Sequence, residues 1–171
     1  EGRQVDLQFS YSQPYVNVVK EKIEPRQSSQ SILQLGYQFS CQYGDKDYFA
    51  LIVFNAMFGE FAHSALFTTL REKEGLAYSI SSQFDVFTGL LEVYAGIEKS
   101  NRNQAMRGIS RELNYIKLGR FSSSLLNQTK KIIRMNALLS EDHTLTLVEQ
   151  RFNKVIFGDK SLSLENWLDE I

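Results

Sequence analysis

The stretch Leu70-Arg71-Glu72-Lys73-Glu74-Gly75-Leu76-Ala77-Tyr78-Ser79 marks a corner in the chain. Arg71 closes an apolar run with helical spacing, Gly75 suits a left-handed helix stop, and Tyr78 opens a segment with strand character. A helix-to-strand turn is therefore expected here, with two strong hydrogen-bond donors near it. Arg stays protonated at physiological pH and Tyr offers an O–H, so the pair could hold a peptide carbonyl or a developing oxyanion. Residue chemistry alone leaves another reading open, in which Arg71 pairs with helix-end carbonyls or Glu74 while Tyr78 packs in the sheet.

Outward from this corner the pattern stays regular. Residues 76–86 and 90–97, joined around Thr88-Gly89, read as a hairpin in which Tyr78, Ile80 and Phe84 share one face. Upstream, Phe49, Ile52, Val53, Ala56 and Met57 recur at the spacing of a buried helical stripe, broken or kinked at Gly59-Glu60-Phe61-Ala62 before a second helix over 64–73. Residues 16–23 and 32–39 read as strands that pair to begin a sheet, with a short alternating segment at 5–12 before them. Downstream, Ser100 or Asn101 caps a helix carrying Ala105, Ile109, Leu113 and Ile116, and Gly119 ends it. Ser122 caps the next helix, which runs to about Leu139, and further helices are expected over 144–155 and from Leu164. Strands early and helices in later blocks predict an α+β domain, a mostly antiparallel sheet with helices on one face.

Composition bounds the function. The 171 residues allow one domain, their formal charge is −1, and 43% are hydrophobic. Neither a nucleic-acid nor an anionic-membrane partner is favoured by that balance. Lys130, Lys131 and Arg134 are the densest basic group, but no aromatics interleave them and a solvated helix face accounts for them. Cys41 is the single cysteine, so no internal disulfide forms and a cytoplasmic home is the expectation. With no His nearby in sequence it reads as an inert, partly buried thiol. Trp167, beside Leu164 and Leu168, reads as a packing anchor. Glu72 and Glu74 sit two apart at a helix end and point to different sides, which disfavours a paired-carboxylate role. The sequence starts at Glu1 and ends soon after a new helix opens, so it is expected to be a piece of a longer polypeptide.

The wider stretch from Phe67 to Ser79, with Leu66 before it, resembles the LF-x-x-LRE-x-x-GLAYS signature of the M16 (pitrilysin/insulysin/mitochondrial processing peptidase) metallopeptidases. In that family the signature lies in the half without zinc, and the order of strand, helix, hairpin and following helices matches it over most of the chain. The resemblance implies a LuxS/M16 metallohydrolase-like fold for residues 1–171, in one zinc-free, substrate-binding, C-terminal-type domain. The chain keeps Gly59, Ser64, Leu66 and Phe67 of the family's glycine-rich kink but has Glu60, Phe61 and Ala65 at other matched positions, which puts a flexible-loop role in doubt.

The M16 family uses His-x-x-Glu-His with a further Glu, because catalytic zinc needs three protein ligands and an open water position. Here His63 is followed by Ser64-Ala65-Leu66-Phe67 and His143 by Thr144-Leu145-Thr146-Leu147, so neither begins that motif. The expectation is no cofactor and no metal held by this chain, with zinc in a partner domain. By resemblance, two homologous halves enclose a peptide substrate, and Arg71 and Tyr78 contact its backbone near the scissile bond as auxiliary catalytic donors. The zinc-bearing half could lie in the same polypeptide, in an identical subunit or in a different one, giving a homo- or heterodimer. An alternative reading is a non-catalytic scaffold or regulatory subunit, as with the respiratory-complex core proteins of the same family.

Overall fold

The computed structural model describes residues 17–25, 27–28, 30–140, 148, 151–152, 155 and 163–171. Three antiparallel strands form its sheet: β1 (Ser31–Gln38), β2 (Ala77–Asp85) and β3 (Leu90–Ile97), in the order β1-β3-β2. β2 and β3 are the expected hairpin, turned by Gly89 at φ 63°. Ser31 of β1 stands opposite Ile97 of β3 and Gln38 opposite Leu90.

The expected pairing of residues 16–23 with β1 is not found. Residues 17–25 take no strand conformation, and Val18, Val19 and Ile23 are exposed, Val19 at 95%. β1 pairs with β3 instead, where Leu33, Leu35 and Tyr37 join the inward row of Leu91, Val93, Ala95 and Ile97. Apolar burial across that long-range pair outweighs the local β-propensity of the Val/Ile run. A groove of about 720 Å³ separates residues 17–20 from the Gly36–Phe39 end of β1, with Leu51, Phe54 and Leu113 among its walls. The 5–12 segment, most of 144–155 and the loop after it lie outside the described residues, although Val148, Arg151, Phe152 and Val155 are helical.

Helical segments from residues 48–73, 102–117 and 123–140 supply the core against the inward face. The first, α1 (Tyr48–Asn55), runs directly into a wider π turn over Ala56–Glu60 and stops where Phe61 becomes extended. A second π segment, Phe67–Lys73, leads to the corner before β2. Then come α2 (Arg102–Lys117), α3 (Ser123–Ser140) and α4 (Leu164–Glu170). Phe58, Leu66, Leu70, Val93 and Ile109 have essentially no exposed surface and form the core between sheet and helices. A satellite cluster of Ala56, Ile133 and Ile171, with Phe49 and Trp167 in edge contact at 5.8 Å, ties α1, α3 and α4 together, so Trp167 is a packing anchor.

Two helix starts differ in kind. Ser122 Oγ accepts from the Leu125 N–H at 3.1 Å, as its position predicts, whereas Asn101 makes no side-chain cap. A 3-10 turn over Lys99–Asn101 feeds α2 instead, which satisfies the first N–H groups through the backbone. Gly59 also departs from a hinge role. A Cβ there would lie 2.8 Å from the Ser82 backbone nitrogen, so the glycine is needed for close contact between the π turn and β2. Beside it, buried Ser82 donates to Asn55 Oδ1 at 2.8 Å, and Asn55 donates onward to Glu60 at 3.0 Å.

Candidate functional site

Leu70 anchors the corner and Arg71 faces away from it. Leu70 is wholly buried beside Gly108 of α2, where a Cβ would stand 3.2 Å from its Cγ. The helix end is closed by Glu74 N–H donating to Thr69 O at 2.9 Å and Leu76 N–H donating to Leu70 O at 2.8 Å. Gly75, at φ 62°, makes the left-handed step between them. Arg71, the residue after the anchor, is exposed, and its guanidinium carbon lies 4.6 Å from the centre of the Phe67 ring. Such a contact on an exposed surface is worth roughly 0.5–1 kcal/mol and leaves the guanidinium edge open. Its N–H groups meet no protein acceptor among the described residues.

Glu74 is not the partner of Arg71. Arg111 of α2 takes it at 2.6 Å and holds Glu112 at 3.0 Å, and these two carboxylates raise the Arg111 pKa. Arg111 gave no signal in the sequence, because its partner is 37 residues away.

A β-bulge decides where Tyr78 points. Ala77 pairs with Ile97 and Ser79 with the next residue back, Gly96, so Tyr78 is the extra residue in β2. The inward row is thereby Ala77, Ile80, Ser82 and Phe84, and Tyr78 is turned out, 51% exposed. The expected common face for Tyr78, Ile80 and Phe84 fails, because simple alternation holds only while the ladder is unbroken. The Tyr78 hydroxyl donates to Glu98 Oε1 at 2.6 Å, and that bond is the main cause of a raised phenol pKa. Glu98 directly follows Ile97, the ladder partner of Ala77, so the sheet register itself supplies the acceptor.

The surface beside Tyr78 is the outward face of the sheet, which no other described element covers. Gln34 donates to Glu92 at 3.1 Å and to Tyr94 at 2.9 Å, and Gln83 donates to Glu92 at 3.0 Å. No hydrogen bond joins Arg71 to Tyr78; the fold brings their elements to one corner and leaves each in its own contact. Neither lines the larger groove or the cleft of about 440 Å³ beside Glu74, Arg107 and Arg111. Both donors therefore sit on open surface.

The remaining candidates have structural partners. His63 Nε2 lies 2.9 Å from the Thr129 hydroxyl and the ring stacks on Phe61, with burial lowering its pKa. His143 lies outside the described residues. Cys41 is buried, and burial together with Asp45 and Asp47 raises its thiol pKa, which disfavours the nucleophilic thiolate. Arg134 donates to the Leu168 carbonyl at 2.7 Å, which ties one member of the basic group to α4. Among the described residues, no three His, Cys, Asp or Glu side chains gather to hold a metal ion, and no helix is long and apolar enough to cross a membrane.

Comparison with known proteins adds lineage to this geometry. The sequence model of the peptidase M16 inactive domain matches residues 4–133. Over 152 residues the chain is 43% identical to the "Probable inactive metalloprotease YmfF" of Bacillus subtilis, covering 89% of this chain and 35% of that protein. It is 26% identical to the "Uncharacterized zinc protease YmxG" of the same organism, covering 85% of this chain and 36% of the relative. The chain thus spans about a third of the length of these relatives. A conserved protein from Enterococcus faecalis V583 superposes with a TM-score of 0.89 at 41% identity, over 93% of this chain and 37% of that one. The inactive peptidase domain of a putative zinc protease from Bordetella parapertussis shares the fold, with a TM-score of 0.70 at 14% identity over 85% of this chain and 79% of that one.

Proposed function

The chain belongs to the peptidase M16 inactive-domain family, and on that premise we propose that it is the zinc-free half of an M16-like metallopeptidase, one domain of a longer polypeptide. It forms a wall of the substrate chamber. Arg71 and Tyr78 on that wall donate to the carbonyl oxygen of a bound peptide and stabilise the oxyanion that develops there. The zinc that would activate water is assigned to the partner half, in keeping with His63 and His143, neither of which begins a His-x-x-Glu-His motif. That half lies in the same polypeptide, in an identical subunit or in another protein, and the assembly works in the cytoplasm.

One observation carries the reading: the bulge that turns the Tyr78 hydroxyl out of the core, at the same helix-to-strand corner as Arg71, whose guanidinium meets no acceptor among the described residues. A tyrosine needed only for packing would gain most from the inward row. The position of both donors on open surface, away from groove and cleft, suits one wall of a chamber whose other wall is a second domain.

The test is peptide hydrolysis by the full-length protein, with its partner if the halves are separate, comparing wild type with Tyr78→Phe at equal zinc occupancy. Loss of a single oxyanion donor lowers kcat by roughly 10²–10³. An unchanged kcat removes Tyr78 from the reaction. The name of the relative at 43% identity, a probable inactive metalloprotease, favours a second reading. In that case the protein is a scaffold or regulatory subunit that binds peptide without cutting it. Absence of both bound zinc and hydrolysis in every combination of subunits selects it.

A further inference from the structure

We propose that Glu98 is a positioning residue for Tyr78, holding its hydroxyl in a resting bond that a peptide carbonyl must displace. The inference rests on the reading that Tyr78 donates to bound peptide. A phenol has a single O–H to give, and at 2.6 Å that proton is directed at Glu98 Oε1. Donation to Glu98 and donation to a substrate carbonyl therefore exclude each other. The acceptor is also the stronger competitor, since a carboxylate binds an O–H more tightly than a neutral carbonyl does.

Geometry makes the competition a built feature. Glu98 continues β3 in extended conformation at φ −73° and ψ 146°, then the chain turns at once into the Lys99–Asn101 turn. Its other carboxylate oxygen lies 3.5 Å from the Ser100 hydroxyl. The bulge at Tyr78 and the end of β3 thus bring one donor and one acceptor together from opposite strands of the hairpin, where register fixes both. Tyr78 is half exposed, so its bond to Glu98 is open to an incoming acceptor. Only the fraction of molecules with a released hydroxyl is competent to donate to peptide, and apparent affinity scales with that fraction.

Glu98→Gln removes the charge and keeps the shape. In the full-length protein two readouts separate positioning from mere structure. The first is the ionisation of Tyr78 followed by NMR of ring-labelled tyrosine: the phenol pKa is elevated in wild type and falls in Glu98→Gln. The second is binding of fluorescein-labelled β-casein, an unfolded polypeptide, together with its hydrolysis where that occurs. Glu98→Gln gains about three- to tenfold in apparent affinity or kcat/KM, the size expected when a dominant resting state is released. Combined with Tyr78→Phe, the gain vanishes. An unchanged Tyr78 ionisation in Glu98→Gln, an unchanged or weakened interaction with casein, or a gain that survives in the double variant overturns the proposal. If Tyr78→Phe alone alters neither casein binding nor hydrolysis, the donor role of Tyr78 is what has failed.

Discussion

The inward and outward faces of the sheet are built by the same three strands, yet different interactions act on each. Inward, Leu33 and Leu35, Val93 and Ala95, and Ile80 and Phe84 pack with Phe58, Leu66, Leu70 and Ile109 from the helices in one apolar cluster. Outward, Gln34, Tyr94, Glu92 and Gln83 hydrogen-bond to one another across the strands while remaining accessible. Two tyrosines mark the contrast. Burial raises the pKa of Tyr37 on the inward face, whereas Glu98 raises that of Tyr78 on the outward one. Burial therefore acts on one side and accessible hydrogen bonding on the other, and a single bulge assigns Tyr78 to the second.

The contrast is most sharply tested by truncating the core. Phe58→Ala removes a fully buried ring that stacks on Phe54 at 5.6 Å and is expected to cost about 3–5 kcal/mol in denaturant unfolding. A cost below 1 kcal/mol, on the order of one buried methylene, would mean that the inward face does not carry the fold. Next in size is Gly59→Ala. Its Cβ would fall 2.6 Å from the Ser82 hydroxyl and 2.8 Å from the Ser82 backbone nitrogen. Overpacking of that kind costs roughly 1–3 kcal/mol, and a neutral result would show that the π turn can shift away from β2.

A smaller effect is expected at alkaline pH. Burial, with Tyr43 and Cys41 nearby, pushes the Tyr48 phenol up to about 12. Below the ordinary phenol pKa of about 10 both folded and unfolded chains are protonated, and the contribution to stability is complete. As pH rises toward 12 the unfolded chain releases its proton first, so unfolding becomes easier. Tyr48→Phe should flatten that alkaline limb, and urea midpoints measured across the window read it directly. An unchanged slope would place the loss elsewhere, with Tyr37 the next group on the inward side. Smallest of all, Tyr78→Phe should move the unfolding free energy by no more than about 0.5 kcal/mol, since it sits on the outward face. A loss comparable to that of Gly59→Ala would make Tyr78 a structural residue and erase the division between the faces.

Much of the candidate site was legible before the structure. Arg71, Gly75 and Tyr78 are local signals, a helix end, a left-handed step and a strand start within a few residues, and these elements fall where the pattern puts them, though the bulge turns Tyr78 to the other face. Glu98 and Arg111 were not legible, because they become partners of Tyr78 and Glu74 only when β3 and α2 fold against the corner. Residues 17–25 illustrate the opposite error. Their composition suits a strand, yet β-propensity describes fitness for a half-buried surface and cannot say which surface is on offer.

By itself the sequence determined the α+β class, the hairpin, the helix stops and the chemical identity of the two donors, since these depend on contacts within about one helical turn or one tight turn. Tertiary structure alone decided that β1 joins β3, that Gly59 is a contact point with Ser82, that a bulge turns Tyr78 outward, and that Glu98 accepts its hydrogen bond. Those choices are made among groups far apart in the chain, where competing burial and hydrogen bonding across the whole domain select the partner and local pattern has no vote.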